Sequence, residues 1–593
     1  MLRTRFLGLL LVLAFLPILV LLASGRDDAA ATHGGSPSPE LTTVGQLPLS
    51  LGAGSISDIW AYGDYAYLGS FYEPVCTLDT TGVYIVDISE PSDPTQVGFI
   101  PSPPNTRAND VKVEHIETPR FSGEILVVTN EPCFAGFIPR LAACSGAVCG
   151  GNLIRSSHTG VAIYDVTNPL KPRALKQNFL RFPVHNTFIY QQGDNAYMLV
   201  VDDVNLLDVH IIDITKPWSP KEIAVTGAPD WTSLETLPQG ASFVHDVWVQ
   251  ENGSQMTAYL SYWDSGLVLL DITDPTNPVF LGDSEYIDAD PLSGQPPEGN
   301  SHVAVPTDDG NIVIMGDEDF DPFRVIPEIT SGPFDGETFN ASQGSNVPQV
   351  DESNPLVGPT RFVGLACGSA PSPGGAGVIA VIERGACAFT TKAQTVSDAG
   401  YVGGIVLNSE TGNPPCEAVV SMLAVGDIPF LFVARSSGFK ILGITGYDPG
   451  NCPGGPNPSL PAADTAGEDV SITAQFDGWG YMRVLDVSDP ANIVELGQFA
   501  TENVLADPPP PGDHTMHNVI VDGDCAYISW YADGMRVVDF STPTSPTEIA
   551  HFVDSPGSNF WGVFLHDIDE TTYILGSDRD SGLWIFDTPD GCP

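Results

Sequence analysis

Histidine recurs at one point of a phrase that repeats along this chain. Aligning the repeats gives the pairs Ser57-Asp58, Asn109-Asp110, His185-Asn186, His245-Asp246, Ser301-His302, His517-Asn518 and Trp561-Gly562. If these positions converge, His185, His245, His302 and His517, with Asp58, Asp110 and Asp246, make a nitrogen and oxygen donor set suited to a divalent transition metal. Such an ion can activate water, which opens hydrolytic or lyase chemistry. The competing use is structural: polar side chains that recur with a repeat satisfy backbone groups between neighbouring units. A second group, Asp317, Asp319 and Asp321 around Glu318, offers oxygen donors for calcium but lacks the glycine of an EF-hand loop. The chain has no HExxH, GxSxG or P-loop, and no GxGxxG after a strand.

What must position these residues is the repeat itself. Its copies are GVYIVDISEPSDP from Gly82, GVAIYDVTNPLKP from Gly160, DVHIIDITKPWSP from Asp208, GLVLLDITDPTNP from Gly266, GYMRVLDVSDPANI from Gly480, GMRVVDFSTPTSP from Gly534 and GLWIFDTPDGCP from Gly582. Each reads as a glycine turn, a buried strand of β-branched and aromatic residues, and a proline-bounded turn. The closing aspartates, Asp87, Asp165, Asp213, Asp271, Asp486, Asp539 and Asp587, have the chemistry of turn caps. Two strands precede each phrase, as in HDVWVQENGSQMTAYLSYWDSG from His245, and a fourth follows, as in PTQVGFI from Pro94. A lone four-stranded meander leaves its faces wet, so the copies must stack.

The phrases resemble the LVIVD repeat, which implies the blades of a propeller. The expected fold is therefore mainly β, a seven-bladed β-propeller with blades starting near Ser57, Asn109, His185, His245, Ser301, His517 and Trp561. The last blade lacks a fourth strand, and TTVGQLPLS at 42–50 has the pattern to supply it and close the ring. Closure would bring Cys525 and Cys592 to one face of adjacent blades. Trp60, Trp248, Trp263, Trp530 and Trp584 read as packing between blades.

From Asp165 to Asp271 and from Asp486 to Asp587 successive aspartates fall about 50 residues apart, but Asp271 and Asp486 are separated by roughly four times that. The surplus is one domain, expected at 326–472 with its linkers, between blade residues 41–325 and 473–593. Within it, GVIAVIERGACAFTTKAQTVSDAGYVGGIVLNSE from Gly377 reads as strand, helix (389–399, stopped by Gly400) and strand. Arg384, Gly385, Cys387, Phe389, Lys392, Ala393, Gly400 and Asn408 give this segment the look of a protease-associated (PA) domain. The resemblance implies a small α/β domain without catalytic residues that contacts another protein or peptide. The functional expectation is an exported non-catalytic binding protein, with a metal-dependent hydrolase or lyase as the competing reading. A divalent metal, calcium or a transition ion, is the candidate cofactor.

Acidic residues outnumber basic ones 74 to 23, a net charge of -51 that disfavours nucleic acid and anionic membrane surfaces. Arg3 and Arg5 followed by an apolar run to Ala23 read as a signal peptide or N-terminal anchor within 1–31, with a polar linker at 32–40. Any membrane association is expected through that anchor alone. Ten cysteines in an exported chain point to disulfides, with Cys144, Cys149, Cys367, Cys387, Cys416, Cys452, Cys525 and Cys592 as candidates. Cys144 with Cys149 and Cys367 with Cys387 are the easy local pairs.

Overall fold

A computed structural model describes residues 38–592, apart from 50–54, 72–80, 105, 133–157, 203–204, 206, 235, 238–241, 285, 287–296, 321, 352, 369–371, 413–414, 421, 508 and 555–556. The expected signal or anchor at 1–31, most of the linker at 32–40, and Cys144, Cys149 and Asp321 lie outside the described residues.

The chain is mainly β, organised as seven four-stranded antiparallel meanders and one further eight-stranded sheet. The repeated phrases are the third strands: Gly82–Asp87, Gly160–Asp165, Val209–Asp213, Gly266–Asp271, Met482–Asp486, Gly534–Asp539 and Gly582–Asp587. The first strands are Ile56–Tyr62, Thr106–Glu117, Val184–Gln192, Val244–Asn252, Ser301–Pro306, Val519–Asp522 and Phe560–Ile568. Each packs against the next, and the last against the first. The first two meanders also share a single ladder pair, Ser70 with Ala108. Thr43–Leu47 pairs antiparallel with Gly582–Asp587, so the N-terminal segment completes the seventh meander, as its alternation predicted.

The phrase chemistry works as its residue types require. The carboxylates of Asp87, Asp165, Asp213, Asp271, Asp486 and Asp539 each accept the backbone N–H two residues on, at 2.8–3.1 Å. Asp587 is the exception because Pro589, two residues on, has no N–H to give. The turns that follow abut the preceding meander: a Cβ on Gly282 would lie 1.7 Å from the Pro490 carbonyl oxygen, and one on Gly45 2.0 Å from that of Pro91. Between sheets, both faces are apolar. Trp60, Tyr67, Ile85, Val111, Leu126 and Ala162 form one such layer between the first two meanders.

The eight-stranded sheet interrupts the fifth meander, whose second strand Ile312–Asp317 pairs directly with Met482–Asp486 across the gap in sequence. The insert is a little wider than the sequence placed it, because its entry and exit strands, Phe323–Ile329 and Ala466–Phe476, are zipped from Phe323 opposite Phe476 inward. Hydrogen bonding, not composition, sets that boundary. Inside, Leu356–Phe362, Ile379–Glu383, Gly403–Leu407 and Phe430–Val433 run parallel, crossed by the helices Phe389–Asp398 and Arg435–Ile441. Gly400, at φ +80°, ends the first helix where predicted.

Disulfides join Cys367 to Cys387, Cys416 to Cys452 and Cys525 to Cys592, with Cα separations of 5.7, 6.0 and 5.8 Å. The last ties the second strand of the sixth meander to the C-terminus beyond the seventh. Among the described residues no helix is long and apolar enough to cross a membrane.

Candidate functional site

Every first strand except Val519–Asp522, whose pairing starts later, carries a β-bulge near its start: the register slips between Ile56 and Ile59, Ala108 and Val111, Val184 and Thr187, Val244 and Asp246, Ser301 and Val303, and Phe560 and Gly562. A bulge inserts one residue and re-aims its side chain. Here it turns Ser57, Asn109, His185, His245, His302 and Trp561 toward the hub of the ring, with His517 at the matching place in the sixth unit. The sequence alignment set Ser301-His302 level with the other pairs. The register instead puts His302 level with His245, and Val303 level with Asp246.

The imidazoles pack against one another around the hub, His185 and His245 edge to face and the other pairs tilted. Ring centroids lie 4.4 Å apart for His185 and His245, 4.2 Å for His245 and His302, and 4.3 Å for His302 and His517, and Trp561 continues the arc 4.4 Å from His517. Side chains of this tier reach toward the backbone of the next unit: Asn109 Nδ2 donates to the His185 carbonyl at 3.0 Å, and His517 Nδ1 to the Trp561 carbonyl at 2.6 Å. Nδ1 of His245 and of His302 is buried and makes no hydrogen bond among the described residues. Burial holds the His517 imidazole down at about 3. His245 and His302 are also pushed well below the usual range, first by burial and then by their histidine neighbours. These rings are neutral at pH 7, so their free nitrogens are lone-pair donors.

Above this tier sits a second, built from the residue that follows the one paired with the phrase glycine: Glu131, Trp263, Tyr531 and Arg579, with Glu318 in the same place in the fifth unit. Glu131 Oε1 lies 2.6 Å from His185 Nδ1, and its Oε2 pairs with Arg107 at 2.7 Å. Burial raises its carboxyl, but Arg107 and then His185 outweigh that and hold it at about 2. Glu318 has no such cation. Its Oε2 is 3.7 Å from His302 Nε2, its Oε1 is 4.0 Å from His517 Nε2, and the Tyr531 hydroxyl donates to Oε1 at 2.7 Å. Burial pushes this carboxyl up to about 7, against the Tyr531 hydrogen bond. His245, His302 and Glu318 each present one donor atom within 4.8 Å of the other two.

Below the histidines, Asp58, Asp110 and Asp246 surround Lys112. The ammonium is 2.8 Å from Asp58 Oδ2 and in contact with Asp110 Oδ1, while Asp110 Oδ2 accepts from the backbone N–H and hydroxyl of Thr187, both at 2.9 Å. Burial raises the Asp110 carboxyl to about 8, opposed by Lys112, and Asp246 to about 7. Deeper still, Trp60, Phe188, Trp248 and Phe564 fill the hub, with Trp60 and Phe564 4.4 Å apart and Phe188 and Trp248 4.7 Å apart. Strand alternation places the aspartate and aromatic tiers two residues apart, as in Asp58 and Trp60 or Asp246 and Trp248, while the bulge sets the histidine tier on the residue next to the aspartates. The cavity among the histidines leaves about 10 Å³ for the centre of a water-sized sphere, room for roughly one water or one ion.

The expected donors thus separate. His245, His302 and His517 meet, His185 is engaged by Glu131, and Asp58 and Asp110 serve Lys112. The acidic group around Glu318 does not gather for calcium among the described residues. Asp317 is paired with Arg483 and accepts the Tyr286 hydroxyl at 2.5 Å, and Asp319 accepts the Trp479 N–H at 3.2 Å. The sequence reading grouped Glu318 with that cluster and missed its place at the hub. The signal was its equivalence to Glu131 in the repeat.

In the insert, the residues that carried the resemblance serve the fold. Arg384 Nη1 donates to Asn408 Oδ1 at 2.9 Å, Asn408 Nδ2 to the Ala418 carbonyl at 2.9 Å, and the buried Lys392 ammonium to the carbonyls of Leu365 and Glu383 at 2.6 and 3.0 Å.

Two families match the chain: the PA domain over 352–441, and the LVIVD repeat over 53–100, 243–284, 476–501 and 515–554. The chain thus carries four LVIVD repeats, with a PA domain between the second and the third. No curated protein matches it. Solved structures with partial likeness include a zinc aminopeptidase from Bacillus subtilis (15% identity, 30% of this chain and 36% of that one, TM-score 0.20). Others are an exo-beta-1,3-galactanase from Phanerochaete chrysosporium (11%, 48% and 61%, 0.29) and Sqt1 from Saccharomyces cerevisiae (8%, 93% and 100%, 0.38). The chain spans about a third of the aminopeptidase's length, and likenesses at these scores carry no argument about function.

Proposed function

We propose that the seven meanders are the blades of a β-propeller and that the protein is an exported, non-catalytic binding protein. In this reading the propeller is a rigid platform and the PA domain meets a protein or peptide partner. The observation that carries it is the size of the hub cavity: the histidine tier has room for about one water-sized sphere, so no substrate fits beside its donors. A wider opening of about 500 Å³ lies between the sixth and seventh meanders. Its His566 is held to the Gly63 carbonyl at 2.6 Å and its Asp567 accepts the Thr572 hydroxyl at 2.6 Å, which leaves no nucleophile and base in register. Three disulfides fit an oxidising compartment.

Because Phe323 pairs with Phe476, the insert can be excised and its stumps joined by a short turn without opening the ring. Cross-linking on the native cells, followed by mass spectrometry, compares the full chain with that deletion. The reading expects partners captured by the full chain to be lost on deletion while the far-ultraviolet dichroism of the ring persists. Identical partners for both chains, or turnover of a substrate by the purified protein, would overturn it.

A further inference from the structure

We propose that His245, His302 and Glu318 bind one divalent transition-metal ion of the zinc type at the hub, with His517 Nε2 as a fourth donor. This goes beyond the platform reading, since the ion would pin the ring shut rather than meet a substrate. The three residues come from the fourth and fifth meanders and His517 from the sixth, so one ion would join three units.

The donor chemistry selects the metal. Imidazoles with one carboxylate suit zinc, cobalt or copper, whereas calcium and magnesium take oxygen ligands throughout. The spacing is close to that of a tetrahedral site, in which donors about 2.0–2.2 Å from the ion stand roughly 3.5 Å from each other. Glu318 lies 3.7 Å from His302 Nε2 and 4.0 Å from His517 Nε2, and the mutual separation of donors from His245, His302 and Glu318 stays within 4.8 Å. Small side-chain rotations close the difference.

Supporting groups are also in place. A ligating histidine commonly donates its other ring N–H to a carbonyl, which fixes the tautomer and aims the lone pair. His517 does so to Trp561 at 2.6 Å, and Nδ1 of His245 and of His302 is buried with no other hydrogen bond among the described residues. Tyr531 orients the carboxylate through Oε1. Glu131 cannot substitute for Glu318, because Arg107 and His185 already occupy it. The same logic removes Asp58 and Asp110, which face Lys112.

The test uses the full chain, stripped with a chelator and titrated with cobalt(II) and then zinc. The expected result is one equivalent of cobalt with the intense visible bands of a tetrahedral site, displaced by one equivalent of zinc, and a raised melting temperature with either metal. Glu318→Gln preserves shape and should weaken binding at least 100-fold. His245→Ala should do the same, and Tyr531→Phe, which touches no metal, about 10-fold. His185→Ala should bind normally. If His245→Ala fails to fold, Glu318→Gln carries the test. A stripped parent chain that gives no cobalt spectrum, or a folded Glu318→Gln that binds like the parent, would overturn the assignment.

Discussion

Lys112→Met leaves two buried carboxylates facing each other without their cation. The side chains of Lys112, Asp58 and Asp110 are 9%, 8% and 2% exposed, so water cannot replace the ammonium. At 2.8 Å from Asp58 Oδ2 the gross attraction is about 6 kcal/mol for an effective dielectric constant of 20, and most of it offsets the desolvation of the ions. Removing one partner of such a group costs about 3–5 kcal/mol. For a cooperative unit of roughly 400 residues, with an unfolding entropy near 2.1 cal/mol/K per residue, the melting temperature falls by about 4–6 °C. Urea titration followed by tryptophan fluorescence measures the loss directly. The combination Asp58→Asn, Asp110→Asn and Lys112→Met, which removes the charges together, should recover most of it. In the single variant burial raises the Asp110 carboxyl with no ammonium to oppose it. The folded state then binds a proton that the unfolded state has released, so the deficit shrinks as pH falls from about 8 toward the unfolded value near 3.9 and shrinks no further below it. A single variant within 1 kcal/mol of the parent, or a triple variant no better than the single, would refute the reasoning.

Gly282→Ala should destabilise by about 2 kcal/mol or more, because its Cβ would stand 1.7 Å from the Pro490 carbonyl in the neighbouring meander. Gly253→Ala, whose Cβ would meet nothing within 4 Å, should cost about 1 kcal/mol through its positive φ alone. Equal losses in thermal melts would discount the close approach between meanders. Acid should undo the contribution of Glu131. Its folded carboxyl is held at about 2 against an unfolded value near 4.3, so that stability is complete above about pH 5 and is lost as pH falls toward 2. Glu131→Gln should flatten this limb of the pH–stability curve, and an unchanged acid limb would contradict the assignment.

Much of the fold was legible because its signals are local. The glycine, the apolar run and the aspartate of each phrase specify a strand and its capped turn within a dozen residues, and the phrase simply recurs. The closing strand at Thr43–Leu47 was readable for the same reason: its alternation had no partner in its own neighbourhood, and the last repeat lacked a strand. The helix that ends at Gly400 and the Cys525–Cys592 bond likewise followed from spacing and repeat position.

The hub was legible only in part. Residue types marked His185, His245, His302 and His517 as candidates, but which of them remain available depended on partners that folding brings in from other strands and neighbouring meanders. Lys112 sits beside Asp58, Arg107 and His185 engage Glu131, and Glu318 is left facing histidines. Sequence alone determined the seven strand phrases, the interruption and the identity of the inserted domain, since periodicity and turn chemistry act between near neighbours. The tertiary structure decided the donor set. A one-residue bulge in six of the seven first strands selects which side chain faces the hub, and burial there makes each charge depend on its contacts across the ring.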